Sequence, residues 1–273
     1  MLRVVRAGNA GPMTGPGTNT YILGGREVAI IDPGPMETAH EAAILAALPD
    51  GGHVTAILVT HAHLDHSALA PALAARREAP VMAMGTAAVR DPTLGGGEGV
   101  DWAFKPDRQI SDGDVIAGDG WHLTALHTPG HKSDHMAFVW DEGRAIFTGD
   151  HVMGWSTSFV SPPDGDMAAY MASLERLLAR PEAVYFPGHG DPVADGPSRV
   201  RALRAHRQAR EAAILAALSE PRTLEALTAT VYADTDPSLH DAASRNLLGH
   251  LLHLIDAGEV EAPAPTGHYR RRG

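Results

Sequence analysis

Apolar residues along the chain gather in short runs, each closed by turn-forming residues. Runs at 20–23 and 28–31 flank Gly24-Gly25, which predicts a hairpin. Runs at 56–59, 81–84, 122–126, 144–147 and 183–186 are short and rich in Val, Ile and Leu, and they read as strands. Helical spacing is expected over residues 40–48, 69–75 and 167–178. Strands and helices thus interleave through the first two thirds of the chain, an α/β pattern. The last third changes character. It predicts a long helix over 198–218, a second over 224–231 opened by Thr223, and a third over 241–257 closed by Gly258. A short strand is expected at 259–261.

Five of the predicted strands end beside a His or an Asp. Ile30-Ile31 runs into Asp32, and residues 56–59 run into Thr60-His61-Ala62-His63-Leu64-Asp65-His66. Later strands run into Thr128-Pro129-Gly130-His131, Thr148-Gly149-Asp150 and Pro187-Gly188-His189. In α/β sheets, reactive groups collect beyond the carboxyl ends of strands. Loops there hold ligands on a rigid support. Alternate side chains of an extended segment point the same way, so His61 and His63 can reach one metal. Asp65 and His66, at the first turn of the next helix, can reach a second position. The segment Leu94-Gly95-Gly96-Gly97-Glu98-Gly99 lacks the Gly-Lys-Ser/Thr of a phosphate loop and reads as a mobile loop.

Composition narrows the chemistry. The 273 residues contain no cysteine, which removes disulfides, thiolate metal sites and a Cys nucleophile. Seven ligands without sulfur suit two divalent cations: zinc first, with iron or manganese able to use the same set. One division puts His61, His63 and His131 on the first metal and Asp65, His66 and His189 on the second, with Asp150 bridging. Such a site lowers the pKa of water from about 15.7 to about 7 and makes hydroxide available near neutrality. The expected reaction is hydrolysis of a polarised carbonyl or phosphoryl bond, with Asp65 and Asp150 as the catalytic carboxylates.

The net charge of −11 argues against binding nucleic acid through bulk charge. It is unevenly placed. Residues 1–196 hold 12 Lys/Arg against 24 Asp/Glu, and residues 197–273 hold 10 against 9. This predicts a catalytic domain over 1–196 and a second domain over 197–273. No run reaches the length of a membrane span, and Met1–Arg6 lacks the apolar core of a signal peptide. A cytoplasmic protein without membrane contact is the expectation.

The motifs around His61, His131, Asp150 and His189 resemble, in order and spacing, those of the metallo-β-lactamase superfamily. The resemblance covers about residues 10–195. It implies an αββα sandwich with two metals at one edge, the same ligand division, and Asp32 as the partner behind a ligand imidazole. Within the superfamily, Gly17-Thr18-Asn19-Thr20-Tyr21 and His131-Lys132-Ser133-Asp134-His135-Met136 resemble the lactamase-beta-like subgroup that includes an animal mitochondrial endoribonuclease. Three helices and a strand at the C-terminus resemble a winged helix.

That resemblance points to single-stranded RNA as a substrate. A thioester, ester or lactone is the alternative, and a regulatory binding protein on the same scaffold is the non-enzymatic one. His135 and His151 are expected to contact the ligands from behind, although His135 could equally make an ordinary structural hydrogen bond. Asn19 and Trp155 are expected to contact substrate. Arg199, Arg201, Arg204, Arg207, Arg210 and the Arg270-Arg271-Arg272 end would serve as phosphate contacts if nucleic acid binds. Otherwise they form a solvated helical face with a lid or homodimer surface, the reading we prefer at this point.

Overall fold

The computed structural model describes residues 1–85, 99–236, 239–261, 263 and 267–272. The glycine-rich stretch expected to be a loop falls, apart from Gly99, outside the described residues.

Two sheets lie face to face. The first has the order β1 (Leu2–Arg6), β2 (Asn19–Gly24), β3 (Glu27–Ile31), β4 (His53–Leu58), β5 (Val81–Ala83), β6 (Arg108–Gln109). The second has the order β11 (Val184–Pro187), β10 (Ala145–Gly149), β9 (Met136–Trp140), β8 (Trp121–His127), β7 (Val115–Gly118). Helices α1 (Thr38–Ala47) and α3 (Ala70–Arg77) cover the first sheet. Helices α4 (Met167–Leu178) and α5 (Gly196–Ala217) cover the second. The architecture is the αββα sandwich expected from the motifs.

The strands are apolar on both faces because both faces are covered. Leu23, Ile31 and Leu58 point between the sheets, against Trp121, Phe138 and Phe147. Their neighbours Ile22, Ile30 and Ile57 point outward, against Ile44 of α1 and Leu73 of α3. On the other side, Val139, Ile146 and Tyr185 meet Leu174 and Leu177 of α4 and Val200 and Leu203 of α5. Each such side chain, taken out of water, contributes roughly 1.5–3 kcal/mol.

Strand direction gathers the functional ends. β3 and β4 are parallel, as are β10 and β11, and β8 is antiparallel to β9, which is antiparallel to β10. The carboxyl ends of β8, β10 and β11 therefore share one edge of the second sheet, beside those of β3 and β4. The sequence did not predict β1, β6, β7 and β9: β1, β6 and β7 are edge strands, and β9 lies between β10 and β8.

The C-terminal region is built around a fourth apolar cluster. Ile214 and Leu218 at the end of α5 pack with Leu227 of α6 (Leu224–Val231) and with Leu247, Leu251 and Leu254 of α7 (His240–Asp256). Thr223 caps α6 as expected, accepting from Ala226 N–H. A two-stranded wing pairs β12 (Val260–Glu261) with β13 (Arg270–Arg271), so two residues of the arginine end form a strand rather than a free tail. The arginines of α5 are likewise not one solvated face: Arg207 is only 1% exposed. No helix among the described residues is long and apolar enough to cross a membrane.

Candidate metal centre and its cleft

The chain leaving β4 carries His61 and His63, and the one-turn helix α2 (Leu64–Ser67) follows with Asp65 and His66. The turn after β8 brings His131, the end of β10 brings Asp150, and the end of β11 brings His189. All seven expected ligands meet. His61 Nε2 lies 2.8 Å and His131 Nε2 3.2 Å from His63 Nδ1. His189 Nε2 lies 3.3 Å and His66 Nε2 3.5 Å from Asp65 Oδ2. Asp150 reaches both sets: Oδ2 is 3.8 Å from His131 and 3.4 Å from His189, and Oδ1 is 3.5 Å from His66. The atoms of His61, His63, His131 and Asp150 fall within 4.8 Å of one another, as do those of Asp65, His66 and His189.

Whether these residues suit a cation is decided by what stands behind each ring. Thr60 Oγ1 donates to Asp32 Oδ2 at 2.9 Å, so toward His61 Nδ1, also at 2.9 Å, it acts as acceptor. His66 Nδ1 faces the same Asp32 oxygen at 3.0 Å. His131 Nδ1 faces the Phe159 carbonyl, and His189 Nδ1 the Gly17 carbonyl at 3.4 Å. Each of these four rings must therefore carry its proton on Nδ1, which leaves an Nε2 lone pair aimed at the common centre. Converging lone pairs beside two carboxylates repel, unless a cation lies among them. His66 Nε2 and Asp150 Oδ1 are moreover buried with no hydrogen-bond partner. The residues fit two cations.

Electrostatics agree with the geometry. Burial opposes charge on His66, yet Asp65, Asp150 and Asp32 outweigh it and raise its pKa well above the usual value. Burial is likewise overcome at His189 by Asp150 and Asp65, to about 9. Burial and the neighbouring histidines instead push His61 and His63 well below theirs. Burial would keep Asp150 neutral, but His189 and His66 hold it well below the carboxylate range. The site is negative enough to hold protons on two imidazoles, and divalent cations can take their place.

The surrounding residues sort differently from one another. Asp32 also accepts from Thr60 N–H at 2.8 Å, and it holds a left-handed φ of 50° to do so. His135 Nε2 accepts from Asp150 N–H at 3.2 Å while its Nδ1 faces Thr128 Oγ1 at 2.9 Å, so it holds the Asp150 backbone. His151 is fully buried. Burial, with His131 and Arg207 nearby, brings its pKa down to about 3, and its neutral ring packs 4.5 Å from that of Tyr170. Asn19 departs from expectation. It is 1% exposed, its amide donates to the Pro187 and Gly190 carbonyls at 3.1 and 2.7 Å, and its carbonyl accepts from Arg6. It fastens the His189 turn and does not line the cleft, because β2 buries it. Trp155 does line the cleft, half-exposed at its mouth and packed over Gly15 and Gly190.

Sequence reasoning missed several supports. Thr60 and Thr128 adjoin the motifs and could have been found there. Asp134 accepts from Ala62 N–H at 2.9 Å between the first two ligands, and Lys132 pairs with Asp164 at 2.5 Å at the cleft wall. The Phe159 carbonyl is a backbone atom on a loop and carries no residue-type signal. Gly188 carries a steric one: a Cβ there would stand 2.5 Å from Asp150 Oδ1 and 2.7 Å from His66 Cε1.

The centre opens into a cleft of about 810 Å³. Met13, Met153, Trp155 and Phe159 line it together with Tyr232 and Leu239 from the C-terminal region.

Residues 13–189 match the model of the metallo-β-lactamase superfamily, and residues 223–264 match that of the β-lactamase-associated winged helix domain. The chain belongs to the metallo-β-lactamase superfamily of hydrolases and carries that winged helix. Among similar curated proteins is an atrochrysone carboxyl ACP thioesterase of Aspergillus chevalieri, 37% identical over 229 residues. That match covers 81% of this chain and 67% of the relative, so this chain spans about two thirds of it. A β-lactamase-like protein 2 homolog of Caenorhabditis elegans is 31% identical over 93% of this chain and 84% of its own. A solved metallo-β-lactamase family protein from Thermus thermophilus superposes with a TM-score of 0.79 at 25% identity, covering 99% and 98% of the two chains. A β-lactamase domain protein from Burkholderia ambifaria reaches 0.82 at 22% identity over 99% and 91%, a likeness of fold.

Proposed function

We propose that this chain is a metal-dependent thioester hydrolase, with zinc the cation its donor set favours. The observation that carries the reading is the convergence of seven ligand side chains at the floor of a largely apolar cleft, in a chain 37% identical to a protein named as a thioesterase. His61, His63 and His131 would hold one cation, Asp65, His66 and His189 the other, and Asp150 would touch both. Cations bound there supply an acidified water and polarise the scissile carbonyl. Burial favours a neutral Asp65, but His66 and His189 outweigh it and keep the side chain ionised; it also accepts from Thr18 Oγ1 at 3.3 Å. It is the most open of the carboxylate ligands, 27% exposed against 10% for Asp150, and stands ready to accept a proton from the attacking water. No Ser or Cys nucleophile is required.

Single-stranded RNA gains no comparable support. A polyanion needs unengaged cations. Of the eight arginines expected to contact phosphate, Arg199 and Arg207 are spent on loop carbonyls, Arg210 on the Val231 carbonyl and Arg204 on Glu175, which leaves Arg201 and Arg270, Arg271 and Arg272 as the exposed ones. The test is a panel of acyl thioesters, lactones, β-lactams and single-stranded RNA with the zinc-loaded protein. Thioester turnover that disappears on chelation and returns with zinc is expected. RNA cleavage without thioester turnover would overturn the reading.

A further inference from the structure

The Phe159 carbonyl that faces the His131 ring lies on irregular backbone, outside any helix or strand, so its own aim needs a cause. The cause lies in the C-terminal domain. Asn246 of α7 accepts the Val160 N–H on Oδ1 at 3.2 Å. The Phe159 carbonyl and the Val160 N–H belong to one trans peptide, so they lie in one plane and point in opposite directions. Holding the N–H on one side therefore aims the carbonyl on the other, toward His131. The hydrogen bond also polarises the amide and makes that carbonyl a better acceptor.

The neighbouring groups restrain the same loop. Arg207 of α5 donates through Nη2 to the Ser158 carbonyl and through Nη1 to Asn246 Oδ1 at 3.3 Å. Asn246 Nδ2 donates to Tyr232 Oη at 2.9 Å, which fixes which end of the amide faces Val160. Arg245 reaches Ser161 Oγ at 3.2 Å and the Pro162 carbonyl at 3.0 Å. The helix backbone comes close enough to do this because position 249 is Gly: a Cβ there would meet the Val160 carbonyl at 2.7 Å.

We infer that Asn246 is a positioning residue for the metal centre: from the winged helix it aims the Phe159 carbonyl, which in turn holds the His131 imidazole with Nε2 toward the cation. Arg207 and Tyr232 hold Asn246. The inference rests on the metal-site reading and is independent of the substrate.

The test is zinc affinity of the metal-free full chain, read by competition with a chromophoric chelator, in wild type, Asn246→Leu and Asn246→Asp. Asp keeps an acceptor for Val160 N–H, whereas Leu fills the space without one. Asn246→Leu should bind zinc about 10-fold more weakly, the lower end of the cost of losing an outer partner of a ligand, because the Phe159 carbonyl stays and only its aim is lost. Asn246→Asp should stay close to wild type. The cobalt(II) absorption spectrum should change in Asn246→Leu alone. A folded Asn246→Leu that binds as tightly as wild type overturns the proposal, and so does an Asp variant that falls as far as Leu. If wild type itself binds no zinc, the metal-site reading fails and this one with it. Should Asn246→Leu not fold, hydrogen exchange on the wild type decides. The Val160 amide should exchange together with the α7 amides, and fast independent exchange overturns the role.

Discussion

At the scale of single residues, the centre is defined by what stands behind the ligands as much as by the ligands themselves. Asp32 serves two of them at once, directly to His66 and through Thr60 to His61. Asp32→Asn replaces one of its acceptor oxygens with a donor and should weaken zinc binding by about 10–100-fold. Chelator competition reads this, and an unchanged affinity would contradict the assignment. A second cluster, away from the site, sets a pH dependence. Burial disfavours the Glu211 charge, but hydrogen bonds from His250 and His253 bring its pKa down to about 2 from 4.5. His253 is raised above 6.5, first by its hydrogen bond to Glu211. A depressed acid stabilises the fold above its unfolded value and loses that as pH falls through its folded one; a raised base stabilises below its unfolded value and loses that as pH rises through its folded one. The Glu211–His253 pair is therefore at full strength between pH 4.5 and 6.5, while His250, its pKa lowered by burial, stays a neutral donor to Glu211. Glu211→Gln should cost about 2 kcal/mol in that window and less on either side, as melts of variant and wild type across pH would reveal.

At the scale of elements, close approach governs. α7 lies against the loop at Val160 because Gly249 has no side chain, so Gly249→Ala must push helix and loop apart. A loss of about 1–3 kcal/mol is expected, as for other overpacked contacts, and thermal denaturation would measure it. The same contrast explains what the sequence made legible. The double-faced strands were visible as unbroken apolar runs such as Ile30-Ile31 and Ile57-Leu58. The seven ligands were visible because each follows such a run beside a small or turn residue. Their supports were legible only where a side chain adjoined a motif, as with Asp32. Phe159 acts through its backbone and Asn246 from a different domain, and neither leaves a trace in local spacing. Asn19 misled because its motif marks a loop near the site, whereas burial in β2 turns its amide to the Pro187 and Gly190 carbonyls.

At the scale of the whole molecule, the two regions share a helix. α5 is 22 residues, about 33 Å long, and it has no break. Val200 and Leu203 near its start pack under the second sheet, while Ile214 and Leu218 at its end sit in the C-terminal core. The charge step near residue 196 thus coincides with the start of an element that both regions bury. A continuous helix buried by both regions offers no pivot within residues 196–217. Tyr232 and Leu239 form a standing wall of the cleft. Among the cleft-lining residues, Met13 and Trp155 are both about half exposed and are the ones free to close over a bound substrate. Turnover would then be paced by the movement of these two side chains at the entrance to the cleft.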